Sequence, residues 1–317
     1  MKNARHVLIL LTLIYLAISC MPPEELPVSF EQYDLGVDGE VRSMLVVNDS
    51  FYFCGGSGWE SGWVLLGTAG LQETKILLEA DNLLFDLCLF DQDIYASSLG
   101  NSIYGLSSSG DNFLHIFIDD FQSIYALEAN ETDMYAVSGE NARTGGKIWQ
   151  YNENEKALKL RESFSNSLQD LQLIKSRLIA CGFGMTAYCE MDHAECAANY
   201  RLSESFKAVD CLNDSICYAV AQSGGIAKTL DSGTSWFSIR PADRVLVANV
   251  PFQDIEMVSD SVGYICAREG HLWKTTNAGK SWVRLTGLPE LDYFDLLFEA
   301  PFLYVACSGG QILRIVE

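Results

Sequence analysis

The 317-residue chain is poor in histidine and in basic residues. Its four His stand at positions 6, 115, 193 and 271, none at a metal-ligating spacing from another. It contains no HExxH segment, no Gly-rich phosphate loop and no nucleophile elbow, so zinc-peptidase, P-loop and α/β-hydrolase chemistries have no support. Neither a cofactor nor a metal is expected. Lys and Arg number 21 against 42 Asp and Glu, a net charge of −21. Such a polyanion lacks the cations that displace counterions from phosphates, which argues against nucleic acid as a partner. The acidic excess is read as a device for solubility. Amphipathic helical periodicity is missing too, and the apolar run from Val7 to Ser19 is too short for a comfortable bilayer span.

Strand signals fill the rest of the chain, of which 49% is hydrophobic and 20% charged. Short runs rich in Val, Ile, Tyr and Phe alternate with Gly, Asn, Asp and Ser. One unit recurs: an aromatic and small-residue stretch, a glycine turn, then another strand. It begins at Tyr52, Tyr95, Tyr135, Leu178, Tyr218, Tyr264 and Tyr304, at separations of 43, 40, 43, 40, 46 and 40 residues. Strand-only repeats of that period predict an all-β fold, a single β-propeller of seven four-stranded blades. The sixth blade reads as inner strand 252–260, then "VGYICAR", "HLWKTT" and "SWVRLT". The last unit stops after three strands, and Val28 to Leu35 is the expected donor of the fourth. That loan would close the ring and hide two sheet edges.

The N-terminus carries its own signal. Lys2, Arg5 and His6 precede the apolar run, which ends at Cys20. "AISC", Ala17 to Cys20, resembles the lipobox of bacterial lipoproteins, with Ala17 where that pattern prefers Leu. The resemblance implies a signal peptide over 1–19, lipidation of Cys20, a proline-stiffened tether over 20–27 and a propeller over 28–317. The expected location is the bacterial cell envelope, extracytoplasmic, with the lipid as sole membrane contact.

Two phrases share the form Thr-x-Asp/Asn-x-Gly-x-Ser-Trp: Thr229, Asp231, Gly233, Ser235 and Trp236, then Thr275, Asn277, Gly279, Ser281 and Trp282. They fall between the third and fourth strands of adjacent blades. The pattern resembles the Asp-box, or BNR, repeat of sialidases and sortilin-type receptors, and with its leading Gly225 or Gly270 it is closest to the photosystem II assembly factors. Asp231 and Asn277 suit an Asx turn, glycine a positive φ, and tryptophan a buried ring. Asn277 could not act as a catalytic carboxylate, so the phrase is read as structural.

Disulfides are expected between Cys211 and Cys217, which flank a hairpin tip, and between Cys189 and Cys196, where the fourth blade should carry its own turn phrase. A metal site from Cys189, Asp192, His193 and Cys196 lacks standard zinc spacing. Cys54, Cys88, Cys181, Cys266 and Cys307 read as small core residues. Inner strands carry Asp86, Asp170, Asp254 and Asp295, with Ser43, Tyr125 and Ala208 at the corresponding positions. Such carboxylates either ring one channel mouth, where they could bind a cation, or hydrogen-bond backbone between blades, the reading favoured here. The loop around Trp59, Glu60 and Trp63 either stacks on sugars or peptides or covers a blade edge. The connection from Arg240 to Pro251 could overhang one face.

Function divides into two classes. The first is a monomeric, non-enzymatic binding or scaffold module for an envelope protein or glycan. The alternative is a glycan-active enzyme of the sialidase type using Asp86, Asp254 or Asp295. Arg42, Arg244 and Arg268 lie near strand ends, but no arginine triad is recognisable. Lipidation has a direct check: Cys20→Ser should move the full chain from the membrane to the aqueous fraction, and unchanged detergent-dependent fractionation would contradict the lipobox.

Overall fold

Twenty-nine strands make up the regular structure of the described residues, which in this computed structural model are 25–316 apart from 69, 108–111, 119–121, 140–144, 176, 193–194, 201, 203 and 241–249. Cys20, the signal segment, His193, Arg244 and most of the Arg240–Pro251 connection lie outside them. Seven antiparallel sheets follow one another along the chain, each beginning with its innermost strand. The seven inner strands are Glu40–Val47, Leu84–Phe90, Ser123–Ala129, Leu168–Ile174, Phe206–Cys211, Phe252–Met257 and Tyr293–Glu299. Up-and-down order puts the turns between second and third strands, and the connections between blades, on one face, called here the upper face. The other two hairpin turns of each blade lie on the lower face.

The second strand of each blade is apolar almost throughout because neighbouring blades cover both its faces. Phe51 through Gly56 are all buried, as are Cys217 through Ala221. Core packing therefore runs between blades: Phe51, Phe53, Trp63 and Leu65 of the first blade cluster with Tyr304, Ala306 and Ile312 of the seventh. The five free cysteines are buried; Cys54, Cys181, Cys266 and Cys307 sit on second strands and Cys88 on an inner one.

Closure is as the missing fourth strand implies. Ser29–Asp34 pairs antiparallel with Gln311–Val316, from Ser29 opposite Val316 to Asp34 opposite Gln311, and Glu31 forms an ion pair with Arg314. The expected tether ends sooner than the sequence reading placed it. Glu25–Pro27 is a fifth strand of the sixth blade, parallel to Val283–Thr286, and Val28 continues with its N–H on Thr286 O at 3.1 Å. Ten successive residues thus bridge the outer edges of blades six and seven. Parallel pairing suits this path, because the chain leaves one edge and reaches the next without reversing.

Removing residues 25–34 should uncover both edges at once. Thermal unfolding should then begin at a lower temperature, and light scattering should detect edge-to-edge aggregates; an unchanged melting curve with a monodisperse chain would contradict the closure.

Candidate functional site

The same irregularity occurs at the upper end of every inner strand. Register against the second strand slips between Val41 and Ser43, Leu84 and Leu87, Ile124 and Ala126, Leu168 and Asp170, Phe206 and Ala208, Phe252 and Asp254, and Tyr293 and Asp295. Each slip is a β-bulge with one extra residue, a device that bends a strand and re-aims a side chain. It also corrects one alignment. The third-blade counterpart of the channel aspartates is Ala126; Tyr125 is the extra residue before it.

The bulge leaves an amide on the channel side of each inner strand, and an inner strand is a sheet edge with no further strand to supply an acceptor. Carboxylates supply it. Asp86 accepts from Leu87 N at 2.8 Å through Oδ1 and from Leu127 N of the next blade at 2.8 Å through Oδ2. Asp170 does the same with Leu171 N and Val209 N, both at 2.8 Å. Asp254 accepts from Leu296 N at 2.9 Å and bonds its own neighbour Ile255. Asp295 closes the circle on Met44 N of the first blade at 2.8 Å. Ser43 stands in where the first blade lacks the acid: its Oγ accepts from Leu87 N at 3.3 Å and donates to Asp86 Oδ1 at 2.9 Å. Four aspartates and one serine therefore serve all seven equivalent amides. A buried amide left unpaired costs about 1–3 kcal/mol, so each of these links matters to the ring.

Two more acids repeat the arrangement lower in the channel, Asp210 on Met257 N at 2.6 Å and Glu256 on the Phe298 amide. With Glu128 they bring seven carboxyl groups around a cavity of about 170 Å³. The surface these groups retain faces that cavity. Burial accordingly pushes Asp86 and Asp210 up to about 6, against the pull of their amide donors. Burial, then the charges of Asp86, Asp170 and Asp210, lifts Glu128 to about 8; burial and Asp210 lift Glu256 to about 8. Asp170, Asp254 and Asp295 are raised by burial first; the charges of Asp86 and Asp254 add to it at Asp170, those of Glu256 and Asp210 at Asp254, and those of Asp254 and Asp86 at Asp295. Among the described residues no three acidic, His or Cys side chains are placed to hold a metal ion. These aspartates fasten blades together, and each of the glycosidase candidates Asp86, Asp254 and Asp295 is engaged by a backbone amide of the next blade.

Above the acids, the extra bulge residues form a collar at the upper mouth: Arg42, Phe85, Tyr125, Gln169, Lys207, Gln253 and Phe294. The Arg42 guanidinium lies over the rings on both sides, 5.3 Å from the centre of Phe85 and 4.8 Å from that of Phe294. Phe85 meets Tyr125 at 5.3 Å between centroids. Lys207 Nζ stands 5.9 Å over Tyr125 and donates to Gln169 Oε1 at 3.0 Å. Arg268, from the sixth blade's upper turn, covers Phe294 at 5.9 Å and is exposed. Burial, then the charge of Arg42, lowers Lys207 to about 8. The mouth thus gathers aromatic rings and three cations in a chain of net charge −21, Arg42 being paired as well with Glu40 Oε2 at 3.2 Å. Only Arg42 and Arg268 had a sequence signal, as residues near strand ends, and nothing in the sequence places Lys207 beside them.

The remaining sequence candidates separate by face. Both Thr-x-Asp/Asn-x-Gly-x-Ser-Trp segments are lower-face turns with nearly the same bonds. Asp231 Oδ1 accepts from Thr229 Oγ1 and Ser235 N, both at 2.8 Å; Asn277 Oδ1 accepts from Thr275 Oγ1 at 3.0 Å and Ser281 N at 2.9 Å. Gly233 and Gly279 have φ of 81° and 80°, and each N–H reaches the threonine oxygen at 3.0 Å. Trp236 Nε1 donates to Gly233 O at 3.1 Å; Trp282 Nε1 has no such partner among the described residues. Cys189–Cys196 and Cys211–Cys217 are disulfides between directly opposed residues, and they too lie on the lower face. The expected Trp pair is divided. Trp59 and Glu60 are exposed at a turn limited to 58–60, whereas Trp63 is 5% exposed on a strand, with Nε1 on Asp38 O at 3.1 Å. Its ring lies over Gly55 directly opposite, where a Cβ would strike it at 2.8 Å.

No family model matches the chain, and no curated protein matches it. Solved structures do. A Ycf48 bound to a D1 peptide is 15% identical, with 93% of this chain and 98% of that one covered at a TM-score of 0.72. Ycf48 from Cyanidioschyzon merolae is 12% identical over 90% and 98%, TM-score 0.68. Virginiamycin B lyase from Staphylococcus aureus is 9% identical over 91% and 99%, TM-score 0.72. The fold is a seven-bladed β-propeller. At these identities the likeness extends to the fold alone.

The channel acids set an inverted pH dependence. Folded, they hold protons up to about pH 6 to 8, whereas unfolded carboxyls release them near 4. The folded state therefore binds more protons between those limits, and unfolding free energy falls as pH rises through the window. His115 and His271, held low by burial, act in the opposite sense but are two against seven. Melting temperature should drop from pH 5 to pH 8, and Glu128→Gln should flatten the slope. A melting temperature that rises over this range would contradict the assignment.

Proposed function

We propose that this propeller is a non-enzymatic binding module of the cell envelope, carried on a lipid at Cys20, that grips an acidic segment of a partner protein at its upper mouth. The collar of Arg42, Lys207 and Arg268 carries this reading. Cations backed by aromatic rings and held beneath a rim are partly stripped of water, so a carboxylate meets them at lower desolvation cost than it would meet free lysines. The bulges fix these side chains to rigid strand ends, which removes much of the ordering cost of binding. The channel acids lie below; burial keeps Glu128 and Glu256 protonated near neutral pH, which limits the negative charge under the mouth, whereas Asp86 and Asp210, at about 6, are mostly ionised there.

The Ycf48 structure with a bound D1 peptide supports peptide binding as a use of such a ring. Fold likeness by itself does not transfer a partner. The enzymatic alternative is disfavoured because its candidate carboxyls are engaged by backbone amides. Two disulfides agree with an oxidising compartment, as an exported location requires.

Affinity capture of the tagged lipoprotein from its own envelope, read by mass spectrometry, tests the proposal. Wild type should recover a protein whose acidic segment cross-links near Arg268, and Arg268→Glu, an exposed substitution that leaves the core untouched, should lower recovery about tenfold. Equal recovery with Arg268→Glu, or turnover of a glycan panel without any protein partner, would overturn it.

A further inference from the structure

A second upper-face site lies away from the collar, at the rim between the first and second blades. Three rings form a ledge on the outer strands of the second blade. Tyr104 stacks on His115, its direct cross-strand partner, at 4.4 Å and 18° between planes; His115 in turn meets Phe117 at 4.0 Å. Phe117 is 62% exposed. Trp59, 70% exposed, faces this ledge from the first-blade turn. That turn is anchored: Leu83 N donates to Gly58 O at 2.7 Å and Glu60 N to Ser57 O at 2.9 Å. Between Trp59 and the ledge runs a cleft of about 390 Å³.

The cleft floor is polar and equally well fixed. Asn101 Nδ2 donates to Ile118 O at 2.6 Å, which leaves Oδ1 without a partner among the described residues. Gln122 is 2% exposed and accepts from Ser138 Oγ at 2.7 Å, while its Nε2 is buried with no partner among the described residues. Among the described residues Asp81 brings the one charge in the lining, beside Tyr104, and no Lys or Arg takes part. His115 is held below the usual histidine range by burial, so it is neutral at pH 7.

We propose that this cleft binds a neutral glycan. Pyranose rings present flat C–H faces that lie against exposed aromatic rings, and hydroxyls that both donate and accept. The floor offers both partners: acceptors in Asp81 and Asn101 Oδ1, and the Tyr104 hydroxyl, which can donate. Charge complementarity selects the class. A lone carboxylate with no compensating cation repels uronic and sialic acids and any phosphate-bearing polymer, whereas neutral hydroxyls bond to it. The aromatic walls and scattered polar groups have the mixed lining typical of small-ligand clefts. A single carboxyl group gives binding without hydrolysis, since glycosidases need two.

Trp59 is the exposed member of the six tryptophans, so its fluorescence reports on the cleft. The full chain is titrated with cellohexaose, chitohexaose and maltohexaose, with polygalacturonate and a proline-rich peptide as comparisons. At least one neutral hexasaccharide should shift the emission to shorter wavelength and saturate. Trp59→Ala and Phe117→Ala, both exposed positions that leave the core intact, should each weaken binding about tenfold by calorimetry. Arg268→Glu at the collar should leave it unchanged. No saturable response to any neutral hexasaccharide, tighter binding of polygalacturonate or the peptide, or binding unaffected by either substitution would overturn the proposal.

Discussion

A propeller's innermost strand is a sheet edge turned inward, and its amides need acceptors where no further strand can reach them. In this chain a carboxylate at the bulge gives one oxygen to the amide of its own strand and the other to the amide of the next. Ala126 and Ala208 follow blades with a two-handed aspartate, so the amides next to them, on Leu127 and Val209, are already served, and the blades after them carry Asp170 and Asp254 to supply the next pair. The alternation of Asp and Ala around the ring is therefore a solution to an accounting problem in hydrogen bonds. Position 43 can be a serine only because Asp295 and Asp86 flank it.

The same constraint shapes both faces of the channel's chemistry. Fastening blades with acids concentrates carboxyl groups where burial disfavours their charge, and they respond by holding protons to higher pH. Every bulge, whether it presents an acid or, beside Arg42 and Lys207, Ser43 or Ala208, inserts one extra residue and so points a second side chain at the mouth. In three places that side chain, or its neighbour from an adjoining turn, is a cation resting on an aromatic ring. Structure and binding surface thus come from one feature of the strand. The lower face, with its Asx turns and disulfides, is built for rigidity.

Much of the architecture is legible in the sequence. A period of 40 to 46 residues, an aromatic at the head of each repeat and a final unit short of one strand lead to seven blades closed by residues near 28–35. What the sequence hides is the bulge. An extra residue does not alter the spacing of the repeats, so Tyr125 takes the place that belongs to Ala126. The collar is hidden for a related reason: Arg42, Lys207 and Arg268 are far apart in the chain, and a net charge of −21 conceals the gathering of three cations at one mouth. Trp63 misleads because Gly55, Gly56 and Gly62 imitate a flexible loop, although all three lie within strands. Glycine there marks close approach of chains rather than freedom.

The claim at the centre is that a carboxylate on one blade protects a specific amide on the next. Amide hydrogen exchange of the native chain, resolved by residue, reads this directly in wild type and in Asp295→Ala. Exchange at Met44 should accelerate in the variant while Leu127 and Val209, which depend on Asp86 and Asp170, keep their protection. Met44 as protected in the variant as in wild type, or equal loss of protection at all three amides, would contradict it.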